Sequence, residues 1–173
     1  MYKRVFMGGT TKGTRWRDEL VAAGVAAGVR PDAFFDPTIS KNLGHPVLAN
    51  YDGRGYPAEW AAYEREVKAD PDTLLFFDLC PGEKPFPKLT PEQAARENEI
   101  VGLTTIWEIP WAIMDRPGGV AVVFSHQLFQ TGAGQRLSNL ADDLRNRFDG
   151  QPPYFENRPT AWAWMFERLP RIA

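Results

Sequence analysis

The chain has 173 residues, 43% of them hydrophobic, with 20 basic residues against 22 acidic ones and a net charge of −2. That length suits a single domain, residues 1–173, able to bury a core, and the charge balance excludes a polyanion-seeking surface: Lys3–Arg4 is the only adjacent basic pair, so no nucleic-acid polymer is expected as a partner. Cys80 alone cannot close an internal disulfide, the start Met1-Tyr2-Lys3-Arg4 lacks a signal peptide's apolar core, and no apolar run approaches the roughly 20 residues of a membrane span, so a cytoplasmic protein without a membrane partner is expected.

In chain order, Arg4 to Met7 reads as a buried first strand running into the tight loop Gly8-Gly9-Thr10-Thr11. Arg15 to Ala27 follows as a helix, with Trp16, Leu20, Ala23 and Ala27 on a helical spacing. Ala33-Phe34-Phe35 is a second short strand stopped by Asp36-Pro37, and residues 38–55 form a long irregular loop. Pro57 opens a helix to about Ala69. Thr73 to Leu79 is the most apolar strand and lacks alternation, as expected when both faces are covered. After a loop over Pro81–Pro91, a helix starting at Pro91 or Ile100 runs to Met114. Val120–Phe124 is the fourth strand, Ala133–Phe148 an amphipathic helix, Pro153–Phe155 a candidate fifth strand and Thr160–Leu169 a closing helix.

Strands alternating with helices predict an α/β fold: a single three-layer, doubly wound domain with a mainly parallel sheet of four or five strands, flavodoxin- or Rossmann-like. Ligands in such sheets bind beyond the carboxyl ends of the strands. That rule selects Gly8 to Thr11, Asp36, Asp78 to Gly82 and Ser125-His126 as the rim.

The glycine-rich turn is neither a P-loop, because Lys12 precedes Gly13, nor a dinucleotide fingerprint. It reads either as a backbone approach to a ligand or as a sterically required turn. Gly132-x-Gly134 reads as a helix start. Cys80 has no neighbouring base to activate a thiol, and no spacing pairs His45, His126 and Cys80 as metal ligands. No metal is therefore expected, and no cofactor either; His126, at a strand end, reads as an ordinary rim histidine or as a ligand contact.

The carboxylates carry more information. Glu108 lies in the apolar segment Ile106-Trp107-Glu108-Ile109-Pro110-Trp111, where an unpaired buried acid would cost several kcal/mol. It reads as a nucleophile or base in a dry pocket, or as the solvent face of an amphipathic helix. Pro110 sits either in a first turn or inside a longer helix. Glu64, on the helix before the third strand, reads on its own as a solvated charge, and Asp78 belongs to the rim at a strand end.

Four segments together resemble the nucleoside 2-deoxyribosyltransferase superfamily, in its divergent deoxyribosyltransferase-like branch. They are Val5-Phe6-Met7-Gly8-Gly9-Thr10 with Trp16-Arg17-Asp18-Glu19, then Phe34-Phe35-Asp36-Pro37. The third is Glu64 placed eight residues before Asp72 at the head of the third strand, and the fourth is Thr105-Ile106-Trp107-Glu108-Ile109-Pro110-Trp111-Ala112. The resemblance spans roughly residues 4–125. Pro110 stands where the family usually has Gly, Gly102 where it often has an acid, and Asp36 where Asn is common; the loop 80–98 is long.

The resemblance implies cleavage of the N-glycosidic bond of a 2′-deoxynucleoside or nucleotide through a glycosyl–enzyme ester. Glu108 would be the nucleophile, and Glu64 the acid that protonates or orients the departing base, with Asp78 in reserve. Gly8, Gly9, Thr10, Thr11 and Asp36 would frame the small-molecule nucleoside or nucleotide, while Trp16, Phe35 and Trp107 would stack on the base. The acceptor, base or water, decides between transferase and hydrolase. A homo-oligomer is implied too, with Trp162 and Trp164 compatible with an interface or with the core. Three alternatives stand beside this: hydrolysis of another N-glycoside such as NAD, a catalytically inert nucleotide-sensing module, and a flavodoxin-like redox protein.

Overall fold

The computed structural model describes residues 1–9, 15–79, 103–123, 139, 142–143, 146–147 and 152–172, and at 103–107 the backbone alone. The strands are β1 (Arg4–Gly9), β2 (Phe34–Phe35), β3 (Thr73–Asp78), β4 (Val120–Val123) and β5 (Tyr154–Phe155). Every pairing is parallel, and the order across the sheet is β2-β1-β3-β4-β5. The helices among the described residues include α1 (Trp16–Ala26), α2 (Ala58–Ala69), α3 (Leu103–Asp115) and α4 (Arg158–Phe166). This is a three-layer α/β fold with the flavodoxin-like strand order, whose topological switch point lies between β1 and β3.

The layers follow from side-chain alternation along the strands. Val5, Met7, Leu74, Phe76, Ala121 and Val123 pack against Trp16 and Leu20 of α1 and Ala161, Met165 and Phe166 of α4. The intervening residues Phe6, Leu75, Phe77, Val120 and Val122 face Val67 of α2 and Ile109, Ala112 and Ile113 of α3. Every residue of β3 is buried, Asp78 at its end included, as the lack of alternation along Leu74–Phe77 predicts.

The boundaries differ from the sequence reading where local chemistry decides them. β1 runs on through Gly8 and Gly9, which pair with Phe77 and Asp78. A Cβ at Gly8 would lie 2.6 Å from the Phe77 ring, and one at Gly9, where φ is +122°, only 2.1 Å from the Asp78 carbonyl oxygen. These two glycines thus have a packing reason of their own. β2 shortens to Phe34–Phe35 because Pro31–Ala33 forms a 3-10 turn. Pro57 precedes α2 in extended backbone rather than occupying its first turn. α4 starts at Arg158, earlier than Thr160, because the Asn157 side chain accepts a hydrogen bond from the Thr160 N–H at 3.0 Å. Pro110 lies inside α3.

Thr10, Thr11, Cys80, the loop 81–91, Ser125, His126, Gly132 and Gly134 lie outside the described residues. Of the helix expected over Ala133–Phe148, residues 139, 142–143 and 146–147 are described and are helical.

Candidate functional site

The site is built where α2 and α3 lie on the same face of the sheet. On α2 the buried residues are Trp60, Glu64 and Val67, a helical stripe in which an acid occupies a core position. Glu64 is only 8% exposed, which corrects its reading as a solvated charge. Its Oε1 accepts a hydrogen bond from the Tyr56 hydroxyl, delivered by the loop just before α2. That loop turns through Gly53 and Gly55, at φ +85° and +64°, and the Tyr51 hydroxyl ties it by donating to the Gly55 carbonyl at 3.1 Å. Burial pushes the Glu64 carboxyl above its ordinary range; Tyr56 and the Lys68 charge pull it down, while the Glu108 charge pushes it further up. Burial, then the Glu64 contact, pushes the Tyr56 phenol up as well.

Lys68 stands one helical turn after Glu64 and therefore shares its face of α2. Its Nζ reaches across to α3 and lies 2.6 Å from Glu108 Oε1; the two side chains are 15% and 24% exposed. The same ammonium is 5.2 Å from the centroid of the Phe6 ring. Arg116, just past α3, donates from Nη2 to the Lys68 carbonyl and from Nη1 to the Asp70 carbonyl, each at 2.7 Å. The ends of α2 and α3 are thereby tied together. Glu108, 24% exposed and paired with Lys68, is thus neither an unpaired buried acid nor a freely solvated one.

A second charged group lines the carboxyl ends of the strands. Asp78, 0% exposed at the end of β3, faces Arg158 in the first turn of α4, with Nε to Oδ2 at 2.8 Å and Nη2 to Oδ1 at 3.3 Å. Arg17 of α1 donates from Nε to the Met7 carbonyl at 2.9 Å and from Nη2 to the Gly9 carbonyl at 3.2 Å. Its Nε also lies 3.6 Å from Asp36 Oδ1, and that oxygen accepts the Thr38 N–H at 2.9 Å. Burial works against the Arg17 charge, and Asp36, Asp78 and Glu64 oppose that effect in this order. Arg17 thus feels both the rim acids Asp36 and Asp78 and, more weakly, Glu64.

The aromatic expectations divide. Trp16 is fully buried in the core, its ring 6.2 Å from that of Phe76 with the Arg17 guanidinium 4.6 Å over it, so the expectation that it stacks on a ligand is corrected. Its place at a helix start near the rim suggested a ligand contact, whereas its helical spacing with Leu20 is that of a core residue. Phe35 stays partly exposed, stacked with Phe6 at 5.7 Å and with Trp60 at 6.0 Å. Tyr63 and His45 complete this aromatic group, their rings 4.7 Å apart. The Trp107 side chain lies outside the described atoms.

Sequence reasoning missed Tyr56 and Lys68 and assigned no site role to Arg17 or Arg158. The i, i+4 spacing of Glu64 and Lys68 was a usable signal, whereas the reach of Lys68 to α3 is a tertiary contact without one. A depression of about 260 Å³ lined by Val47, Asn50, Tyr51, Asp52, Arg54, Pro57 and Glu59 lies on the loop carrying Tyr56, and none of Glu64, Glu108 or Asp78 lines it. Among the described residues, no group of three or more His, Cys, Asp and Glu is placed to hold a metal, and no helix is long and apolar enough to cross a membrane. Comparison with models of protein families, with curated proteins and with solved structures gives no match.

Proposed function

We propose that this protein cleaves the N-glycosidic bond of a 2′-deoxynucleoside or nucleotide, with Glu108 as nucleophile and Glu64 as the acid on the departing base. The observation that supports the reading is the unequal environment of two neighbouring carboxyl groups. Glu64 is buried and its carboxyl is pushed up, as suits a proton donor, while Glu108 sits beside a cation.

In the step, Glu108 Oε2 bonds to the anomeric carbon as the bond from that carbon to the base nitrogen breaks. The bonding pair leaves with the nitrogen, which takes the Glu64 proton, and a glycosyl ester remains on Glu108. Attack by a second base makes the reaction a transfer; attack by water makes it a hydrolysis. The partly exposed rings of Phe35 and Tyr63 pack together beside Phe6, whose ring lies 5.2 Å from the Lys68 ammonium. NAD, another N-glycoside, is open to the same chemistry.

One observation favours a second reading, a nucleotide-binding module without turnover: Pro110 lies inside α3 two residues after Glu108. A panel of 2′-deoxynucleosides, their monophosphates and NAD, incubated with wild type and E108Q with and without an acceptor base, separates the two. Free base formed by wild type and not by E108Q supports the enzyme. Binding of a panel member with no product from any of them supports the module.

A further inference from the structure

We propose that Lys68 is the positioning residue of this site, clamping one oxygen of Glu108 while standing one helical turn from Glu64, so that the two acids keep opposite roles. The inference rests on the proposed glycosidic chemistry and deepens it.

Three features of the geometry carry the assignment. The Lys68 Nζ to Glu108 Oε1 distance is 2.6 Å between side chains that are mostly withdrawn from water, and charge-assisted bonds of this kind are short and directional. Among the described residues, Oε2 of Glu108 accepts no hydrogen bond, so the clamp leaves that oxygen for the reaction. The lysine stem crosses from α2 to α3 beside the Phe6 ring, and Arg116 fixes the backbone of Lys68 itself. A side chain held at both ends is preorganised for positioning, and misplacing a reacting group by about 1 Å costs on the order of 100-fold in rate.

Lys68 also acts on the second acid. The titratable and charged groups that bear on Glu64 are Tyr56 from the preceding loop, Lys68 from α2, Glu108 from α3 and Arg17 from α1. Of these, Lys68 is the cation that touches the other carboxylate. It lowers the Glu64 carboxyl while Glu108 raises it, so removing the lysine charge leaves Glu64 protonated to higher pH. A lysine that merely glued α2 to α3 would cost activity only in proportion to the stability it removes.

The test uses the full chain with K68M, K68Q and K68R. K68Q keeps a donor without the charge; K68R keeps the charge if K68M does not fold. K68M is expected to lose about tenfold or more in kcat with KM changed less than about twofold, and K68R to recover most of the loss. The alkaline limb of the pH profile moves to higher pH in K68M and K68Q and returns in K68R. Titration of the Glu64 carboxyl by carbon-13 NMR follows the same pattern and needs no substrate. A Glu64 midpoint identical in all variants, or a kcat loss that only tracks melting temperature, overturns the proposal. Absence of product from wild type defeats the glycosidic reading instead, and the NMR titration then still decides whether Lys68 governs the pair.

Discussion

Arg158 Nε lies 2.8 Å from Asp78 Oδ2, which joins the first turn of α4 to the carboxyl end of the central strand β3. Asp78 is wholly buried, so its charge depends on neighbours rather than on water. Removing one partner of such a pair leaves a charge in a poorly polar place. R158M is therefore expected to destabilise the fold by on the order of 3 kcal/mol, read by denaturant unfolding. A loss below about 1 kcal/mol, the range of exposed pairs, would show that the pair is not structural.

Gly9 and Gly53 both hold positive φ, at +122° and +85°, yet they differ in surroundings. A Cβ at Gly9 would strike the Asp78 carbonyl, whereas nothing lies within 4 Å of one at Gly53. G53A should cost about 1–2 kcal/mol from the left-handed backbone alone. G9A should cost clearly more, because β1 or β3 must shift. Equal melting temperatures for the two variants would contradict the close approach of these strands.

Much of the fold was legible before any coordinates. The apolar stretch Leu74–Phe77 and the run after Arg4 mark buried parallel strands, and the helix–strand alternation orders them. Glu108 stands out in the sequence because a buried acid among Ile106, Trp107, Ile109 and Trp111 is costly unless partnered. Its partner was hidden, since Lys68 precedes it by 40 residues and only the packing of α2 beside α3 brings them together. Glu64 was readable in principle: Trp60, Glu64 and Val67 repeat at helical spacing, and an acid on that stripe is a buried acid. Trp16 shows the same periodicity with Leu20, which outweighs its place near the rim and puts it in the core.

Glu64 also sets a pH dependence of stability. Its carboxyl is raised above the ordinary 4.5 by burial. A group raised on folding contributes stability that is fully present below its unfolded value and is lost as pH rises through its folded value. Wild type should therefore lose part of its stability between about pH 4.5 and the raised midpoint, and E64Q should not show that component. Unfolding free energies measured across this range check it, and an E64Q curve parallel to wild type throughout would contradict it.

Tyr56 tunes the same group from outside. Its hydroxyl bonds Glu64, although the tyrosine itself is 57% exposed. Y56F removes a hydrogen bond that favours the ionised carboxylate, so the Glu64 titration moves to higher pH. Since the ring is largely in solvent, the stability change should stay within about 1 kcal/mol. Carbon-13 titration of Glu64 in Y56F reads the shift, and an unchanged midpoint would show that the contact is not maintained in solution.

The glycosyl ester on Glu108 is the species that most directly distinguishes the proposed chemistry. A 2′-deoxynucleoside with an activated base needs no acid to leave, while a variant without Glu64 lacks the base that assists breakdown of the ester. Incubating E64Q with such a nucleoside and measuring the intact protein by mass spectrometry should reveal the added mass of one deoxyribosyl group, mapping to the peptide that carries Glu108 and absent from E64Q/E108Q. Release of base by E64Q with no modified protein, or a label on any other residue, would contradict Glu108 as the nucleophile.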